Sequence, residues 1–414
     1  MARLADFYNG ILSKFSQDGK IQYRDILERM EQGFQQNGYR AHQEGPQRIL
    51  VIRLDEIGDN VLSSAFMREL RRNFPQAEID LLVNPTVYPL MELCPYVNRV
   101  LAAEGLPKDR IVDEFLYWMG GVCEKTLWAR HYDLCFVPRW DSDTSYAVLL
   151  SFLCGARKRI GFSEHVYPVK EELDRGEDAF LTHVVMTPPY LVHEVEKNLF
   201  LLKECGFHVE SDAIELWLSQ SDMDHAKHLL TIDIVGGYIA VAVGTREGRK
   251  TYPSERLAEA LRLLLPIGLS FVLLGGPGEE NDAAVVERQL PEERVLNLVG
   301  KIPLRVSAAL VALSRLYLGG DTGLTHIAAA AKRPMVEWFC HAADIPVSTL
   351  SPLVRFSPWQ APAAIIRPAR ALDGCSNFTV GFAELAGCQS AHDAHCIKTI
   401  APKSIADAAR VMLK

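Results

Sequence analysis

The chain of 414 residues has no apolar run of membrane-spanning length, and its N-terminus lacks the apolar core of a signal peptide. We therefore expect a cytoplasmic protein without a transmembrane segment. Basic residues are also in deficit, because 44 Lys and Arg stand against 52 Asp and Glu, which gives a formal net charge of −8. This balance argues against a general nucleic-acid binder.

Two common phosphate-binding fingerprints are absent. The glycine-rich turn at 275–278 lacks the G-x-G-x-x-G spacing of a dinucleotide site, and no Gly-Lys-Ser/Thr follows it, as a P-loop requires. An acid after this turn, Glu279 or Glu280, could instead bind ribose hydroxyls, or it could be a solvated turn residue.

The length exceeds what one hydrophobic core usually supports, so two domains are expected. From Arg48 onward, short apolar strands alternate with amphipathic helices, and the second half repeats this scheme. The pattern predicts an α/β protein with two Rossmann-like domains that face one another across a cleft. We place these domains at 47–225 and 226–400, after an N-terminal helical arm at 1–46. A C-terminal helix at 401–414 follows, which could pack back on the first domain or be a plain surface helix.

The segment 316–331 has the features of a phosphate site. A short apolar strand runs into two glycines, and then Asp321, Thr322 and Gly323 open an alanine-rich helix. The N-terminus of a helix carries unpaired amides and a partial positive charge, which suit a phosphate where side chains are small. The alternative is a helix capped by Asp or Thr that buries its alanine face.

Two further loops follow predicted strands. In the loop at 244–253, Thr245 offers a hydroxyl, and Arg246, Arg249 and Lys250 offer cations for a diphosphate, although a solvated basic loop would look the same. In the loop at 53–60, Asp59 could be a general base, or it could cap a helix predicted at 61–74.

Together these loops resemble the heptosyltransferase family, glycosyltransferase family 9, over roughly residues 48–413. The resemblance is carried by the strand and loop at 49–59, by Arg-Ile-Gly-Phe at 159–162, and most specifically by Asp321-Thr322-Gly323 with His326. It implies a GT-B enzyme that moves a heptose from ADP-heptose to a lipopolysaccharide-core sugar, inverting the anomeric centre without a catalytic metal or other cofactor.

The resemblance also implies roles for single residues. Asp59 matches the base, and Thr245 and Lys250 match contacts to the diphosphate. The turn from Asp321 to Gly323 matches the helix entry at the donor. His326 matches a position that supports the donor site. The alternative is that its imidazole hydrogen-bonds within its own helix. Glu279 is a further candidate, as a contact to the ribose.

The chain departs from the family pattern at Asp55 and Glu56, where the family commonly has small or hydroxyl residues. Two such carboxylates would repel a phosphorylated acceptor and suit a neutral sugar or a protein. Residues 139–141, Arg-Trp-Asp, could contact the acceptor or form an ordinary turn. The acceptor is thus a glycolipid core, with peripheral contact to the inner membrane, or a protein. A non-catalytic nucleotide-sugar binding protein is a further alternative.

Four cysteines in the last quarter of the chain could hold a structural metal. Thiolates suit iron or zinc, but the spacings are looser than in a C-x-x-C site, and reduced cysteines packed in a loop are the alternative. Cysteine-bearing C-terminal segments occur in the family, and those of some autotransporter-modifying members bind iron. The candidate ligands are Cys340, Cys375, Cys388 and Cys396, with His392 and His395 nearby.

Overall fold

A computed structural model of the chain describes residues 47–107, 112–230, 237–245, 250–372 and 395–414. These residues form two compact units. The first comprises 47–56, Phe66–Leu191 and Glu196–Asp212, and the second comprises Ile57–Ala65, Val192–Val195 and the described part of Ala213–Lys414. The predicted arm at 1–46 lies outside the described residues, and the predicted domain limits stay predictions.

The first unit contains a sheet of six parallel strands. The strands are β1 (Arg48–Arg53), β2 (Glu78–Val83), β3 (Arg99–Ala102), β4 (Leu134–Val137), β5 (Lys158–Phe162) and β6 (His183–Val185). Their order is β3-β2-β1-β4-β5-β6. The central strands are apolar and buried on both faces, as in sheets covered by helices on each side.

The second unit repeats this topology. Its parallel strands are β7 (Tyr238–Ala242), β8 (Ser270–Leu274), β9 (Val295–Asn297), β10 (Leu316–Gly320), β11 (Met335–Trp338) and β12 (Ala363–Ile366). They lie in the order β12-β11-β10-β7-β8-β9. Both sheets therefore share the strand order of doubly wound nucleotide-binding folds. The strands predicted from apolar runs in both halves are confirmed.

Helices connect the strands. They are α1 (Ile57–Leu62), α2 (Ser64–Asn73), α3 (Tyr88–Met91), α4 (Val112–Val122), α5 (Ala147–Leu153), α6 (Pro168–Leu173), α7 (Glu194–Glu204), α8 (Gln220–Leu229), α9 (Ser254–Leu264), α10 (Glu280–Glu287), α11 (Leu304–Leu313), α12 (Gly323–Ala330), α13 (Pro352–Arg355) and α14 (Pro402–Met412). Short 3-10 or π turns lie at Cys123–Leu127, Trp128–Arg130, Glu164–Val166, Glu177–Phe180, Leu265–Ile267, Glu292–Arg294 and Cys396–Thr399.

The C-terminal helix α14 packs in the second unit, which corrects the expectation that it packs back on the first domain. Its apolar face, formed by Ile405, Ala406 and Ala409, is buried in the core shared with α9 and β11. Just before the helix, the Tyr252 hydroxyl donates to the carbonyl oxygen of Ile400 at 2.8 Å. The correction follows from this buried face, because apolar side chains at helical spacing pack against the nearest uncovered sheet and helix surface.

Helices α1 and α12 approach closely within the second unit because two glycines face the contact. A Cβ on Gly58 would lie 2.4 Å from Cδ2 of His326, and a Cβ on Gly323 would lie 2.7 Å from Cβ of Ile57. Neither distance is sterically possible, so both positions need glycine in this packing. The start of α12 is thus held directly against α1.

We expect Gly323→Ala to destabilise the protein by about 1–3 kcal/mol, because the new methyl group meets a Cβ that only backbone movement can displace. Thermal unfolding followed by circular dichroism measures the effect. Gly276→Ala is the matched control, because a Cβ at this exposed glycine has no heavy atom within 4 Å. Equal unfolding temperatures for the two variants would contradict the packing argument.

Candidate functional site

Ligands of open parallel sheets bind beyond the carboxyl ends of the strands, where the strand order reverses. In the second sheet this reversal lies between the neighbouring strands β7 and β10. Thr245 and Lys250 follow β7, and Asp321 follows β10. Arg246 and Arg249, the other predicted cations of the first loop, lie outside the described residues.

An ion pair joins the two loops at this point. The Lys250 ammonium lies 3.0 Å from a carboxylate oxygen of Asp321, and the side chains are 18% and 11% exposed. Burial by itself raises the pKa of Asp321, but nearby positive groups, first among them Lys250, outweigh it and leave that pKa below its usual value. The Asp321 carboxylate is therefore ionised near neutral pH, and it holds the Lys250 side chain beside the helix entry.

The first turn of α12 starts at Gly323, with Thr322 in an extended conformation before it. The Thr322 side chain makes no capping hydrogen bond, so the alternative of a helix capped by this threonine is wrong. Its hydroxyl lies 3.3 Å from that of Tyr317, and the Thr325 hydroxyl donates to the Gly320 carbonyl oxygen at 2.6 Å. The hydroxyls below the turn are thus engaged with one another, and Thr322 does not occupy the helix amides.

Glu279 lies over the ends of β7 and β8. Its side chain fills the space where Cβ atoms on Gly244 and Gly275 would lie, with the carboxylate 2.3 Å from the latter position. Burial raises the pKa of Glu279 above its usual value, against a hydrogen bond from the Gly276 amide. Glu280 is exposed and accepts a hydrogen bond from the Gly278 amide at 2.8 Å. Of the two acids, Glu279 is the one placed at the strand ends.

The Thr245 hydroxyl lies 3.1 Å from the hydroxyl of Thr251, next to Lys250 in the chain. Thr251 was not singled out from the sequence. The contact connects the start and the end of the loop whose central residues, 246–249, lie outside the described part of the chain.

His326 lies on α12 with its ring against Gly58 and is 4% exposed. Burial lowers its pKa to about 4, although the Asp321 charge acts in the opposite direction. Among the described residues no group bonds its buried Nδ1, so an imidazole bonded within the helix is not seen at this nitrogen. His326 is therefore a neutral side chain that joins α12 to α1.

Asp59 lies in the first turn of α1, one residue after Gly58, and is partly exposed. The alternative that it caps a helix at 61–74 is wrong, because that stretch is two helices and the first begins at Ile57. Through the contact of Gly58 with His326, Asp59 belongs to the same compact unit as the Lys250–Asp321 pair.

The first sheet reverses between β1 and β4, and a buried charge cluster lies there. Asp55 pairs with Arg53 at 3.0 Å and also with Arg139, and Arg53 donates to the Pro138 carbonyl oxygen. The expectation that Asp55 repels an anionic acceptor is corrected here, because two arginines compensate its charge; Glu56 is exposed.

The acceptor contacts predicted at 139–141 are engaged within the first unit. Arg139 also donates to the Ser142 carbonyl oxygen at 2.6 Å, and the Trp140 indole donates to Thr187 at 2.8 Å and stacks on Tyr167. These bonds fit the alternative of an ordinary strand-end turn, and contact with an acceptor stays a prediction.

Sequence reasoning did not single out Glu337, which lies on β11 with 0% exposure. A signal was available, since an acid within an apolar strand of a parallel sheet is rare unless it is paired or functional. Trp338 was also missed. Its indole nitrogen would lie 3.0 Å from a Cβ added to Gly320, the residue just before Asp321, so the indole packs against the end of β10.

Of the predicted metal ligands, Cys340 and Cys396 are described, whereas Cys375, Cys388 and His392 lie outside the described residues. The Cys396 sulfur accepts a hydrogen bond from the Leu372 amide, and the Cys340 sulfur lies 3.8 Å from Nδ1 of His341. Across the described part of the chain, no group of three or more His, Cys, Asp or Glu could hold a metal ion. These residues alone do not form a metal site, and the structural metal stays a prediction.

The family model of glycosyltransferase family 9 (heptosyltransferase) matches residues 123–361, which is more than half of the chain. The chain belongs to glycosyltransferase family 9. This confirms the family and the glycosyltransferase class that the motifs predicted.

Known relatives agree with this assignment. The family 9 chain is 25% identical over 296 residues to lipopolysaccharide heptosyltransferase 3 of Escherichia coli K12, covering 68% of this chain and 79% of the relative. It superposes on a family 9 glycosyl transferase of Veillonella parvula with a TM-score of 0.68 and 16% identity, covering 90% and 99% of the two chains. It also matches the E. coli heptosyltransferase WaaC with ADP, with a TM-score of 0.61 and 17% identity, covering 88% and 100%.

These structural matches confirm the predicted α/β class and the GT-B fold of the glycosyltransferase. No helix in the described ranges of the enzyme has both the length and the apolar character needed to cross a bilayer.

We expect the glycosyltransferase to lose stability as the pH falls from about 6.5 to about 4, partly through His326. Its folded-state pKa lies below the unfolded value, so the unfolded chain binds the proton first, which removes up to about 3 kcal/mol. Urea unfolding of wild type and His326→Gln at a series of pH values measures this contribution.

The exposed His225→Gln is the control and should keep the wild-type pH dependence. If His326→Gln and wild type lose stability in parallel over this range, His326 is not the buried neutral imidazole described above.

Proposed function

We propose that the protein is an inverting, metal-independent glycosyltransferase that transfers heptose from ADP-heptose to a lipopolysaccharide-core or related sugar. The observation that carries the proposal is the Lys250–Asp321 pair at the strand reversal, beside the N-terminus of α12. The named activity of the E. coli relative and the ADP in the WaaC structure support the choice of sugar and nucleotide.

Departure of a nucleoside diphosphate places negative charge on the leaving group. In this proposal Lys250 meets that charge together with the amides at Gly323 and the hydroxyls of Thr245 and Thr322. Asp321 holds the lysine in place before the donor arrives, so little reorganisation is needed during the reaction.

Asp59 acts as the general base. It takes the proton from the acceptor hydroxyl while the new glycosidic bond forms on the face opposite the departing diphosphate, which inverts the anomeric centre. Two observations support this role. Asp59 is partly exposed on α1, and α1 contacts α12 through Gly58 and His326, next to the turn that contains Asp321.

Glu279 binds the ribose hydroxyls. Its carboxyl group lies at the ends of β7 and β8, where acids of nucleotide-binding sheets bond ribose. His326 supports the same site through packing, since its ring fills the space between α12 and α1.

A glycolipid-core acceptor is favoured over a protein. The reason to expect a neutral sugar or a protein was the negative charge of Asp55 and Glu56, and Arg53 and Arg139 compensate the charge of Asp55. Action in the cytoplasm, with peripheral contact to the inner membrane, belongs to this proposal, as does a structural iron or zinc ion at the C-terminal cysteines.

Isothermal titration with ADP, UDP, GDP and ADP-heptose tests the donor site. We expect selective binding of the adenine ligands, weakened about 10- to 100-fold by Lys250→Ala because a charge-assisted contact is lost. The combined variant Lys250→Ala and Asp321→Asn separates loss of the cation from repulsion by the remaining carboxylate.

Lys227→Ala, which removes an exposed lysine of the same unit, is the control. Preference for UDP or GDP would overturn ADP-heptose as the donor. Unchanged ADP affinity in Lys250→Ala would remove Lys250 from the site.

Asp59→Asn tests the base. We expect kcat for heptose transfer to fall by about 10²- to 10⁴-fold while ADP affinity stays at the wild-type level, because the change removes only proton transfer. The assay follows ADP release from ADP-heptose in the presence of a core glycolipid.

Glu56→Gln is the matched control, since it removes an exposed carboxylate three positions away and should leave kcat unchanged. A kcat for Asp59→Asn that stays near wild type would rule out Asp59 as the base.

A further inference from the structure

Glu337 is a buried acid that the proposed mechanism does not use. It lies in the middle of β11, and its partner in register on β10 is Gly319, two residues before Asp321. Its exposure is 0%, so no substrate atom can touch it in this arrangement. Any effect of Glu337 on the reaction must therefore pass through its neighbours.

The carboxyl group of Glu337 has no hydrogen-bond partner for either oxygen among the described residues. An unpaired charge of this kind is too costly to bury, so the group takes up a proton. Burial raises the pKa of Glu337 well above its usual value; the Asp321 charge adds to this rise, and Lys250 opposes it.

The polar groups nearest to Glu337 along β10 bond one another. A Cβ on Gly319 would lie 2.2 Å from the Tyr317 hydroxyl oxygen, so this glycine gives room to the tyrosine. That hydroxyl lies 3.3 Å from the hydroxyl of Thr322 and 3.2 Å from that of Thr325. Because Glu337 is in register with Gly319, it lies next to these hydroxyls, and Asp321 follows Gly319 by two residues in the neighbouring strand and loop.

We propose that Glu337 is a positioning residue for the donor site: as a neutral carboxylic acid it leaves the Lys250 charge to Asp321 and the donor diphosphate. When Glu337 ionises, a second carboxylate competes for this lysine and donor affinity falls. The inference rests on the proposed function, in which Lys250 binds the diphosphate.

The charged and titratable groups around Glu337 fix the direction of the effect. The charge of Asp321 raises the pKa of Glu337, and the charge of Lys250 lowers it. Tyr317 lies on the same side of the sheet as Glu337. Burial also raises the pKa of Tyr317, which keeps the phenol neutral near neutral pH. The charge of Glu279 raises the pKa of Tyr317, and the imidazoles of His326 and His341 lower the pKa of Asp321. The site is therefore competent below the raised pKa of Glu337 and loses affinity as the pH rises through it.

Titration of ADP into wild type and Glu337→Gln from neutral to alkaline pH tests this role. We expect the wild-type Kd to rise roughly fivefold to tenfold across the range. Glu337→Gln keeps the neutral shape of the protonated acid, so its Kd should match wild type at neutral pH and lack the alkaline rise. KM for ADP-heptose should follow Kd, with kcat nearly unchanged.

Two additions keep the test decisive. Glu280→Gln, which removes an exposed acid of the same unit, should retain the wild-type alkaline rise. If Glu337→Gln does not fold, Glu337→Ala provides the neutral side chain. The infrared carbonyl band of a protonated carboxylic acid, present in wild type at neutral pH and lost with the substitution, reports the proton directly.

An alkaline rise that persists in the Gln variant would overturn the inference, as would a wild-type Kd that does not change with pH. A Kd for folded Glu337→Gln that is already weakened at neutral pH would also overturn it, because the ionised form would then be the required one. Failure of the wild type to bind ADP at every pH would instead refute the proposed function, and with it this inference.

Discussion

The ion pair between Lys250 and Asp321 is the interaction around which the second unit is arranged. The two residues follow adjacent strands at the one place in that sheet where the strand order reverses. A charge pair at 3.0 Å joins the ends of the two loops. Gly320 lies just before Asp321, and the hydroxyls of Tyr317, Thr322 and Thr325 lie close to one another beside the start of α12.

Burial favours the neutral form of the groups that surround the pair. His326 and Glu337 are nearly or fully excluded from water, and burial shifts the pKa of each toward the neutral form; Glu279 is shifted in the same direction. In the described part of the proposed diphosphate site, Lys250, Asp321 and the start of α12 provide the charges, whereas burial favours the neutral form of these three neighbours. In the role proposed for Glu337, a neutral carboxylic acid does not compete with Asp321 and the donor for the Lys250 charge.

The apolar runs and the Asp321-Thr322-Gly323 motif were enough to predict the strands, the fold and the family. The errors concern properties that depend on partners distant in sequence. The charge of Asp55 is compensated by Arg139, which is 84 positions away, and no local pattern shows that pairing. The packing of α14 depends on which sheet face is left uncovered. Glu337 is different, because its position within an apolar strand was visible in the sequence. Only the structure shows that its carboxyl group is buried without a hydrogen-bond partner among the described residues.

The close contact of Gly58 and Gly323 with the opposite helices places α1 in the second unit, although its neighbours in the chain belong to the first. The proposed base and the proposed diphosphate cradle are consequently parts of a single folded body. Their separation is built into the packing of two helices and does not rely on how another body is placed. In evolutionary terms, residues of the first unit that are proposed to contact the acceptor can then change without disturbing the distance between the proposed base and the proposed leaving-group site.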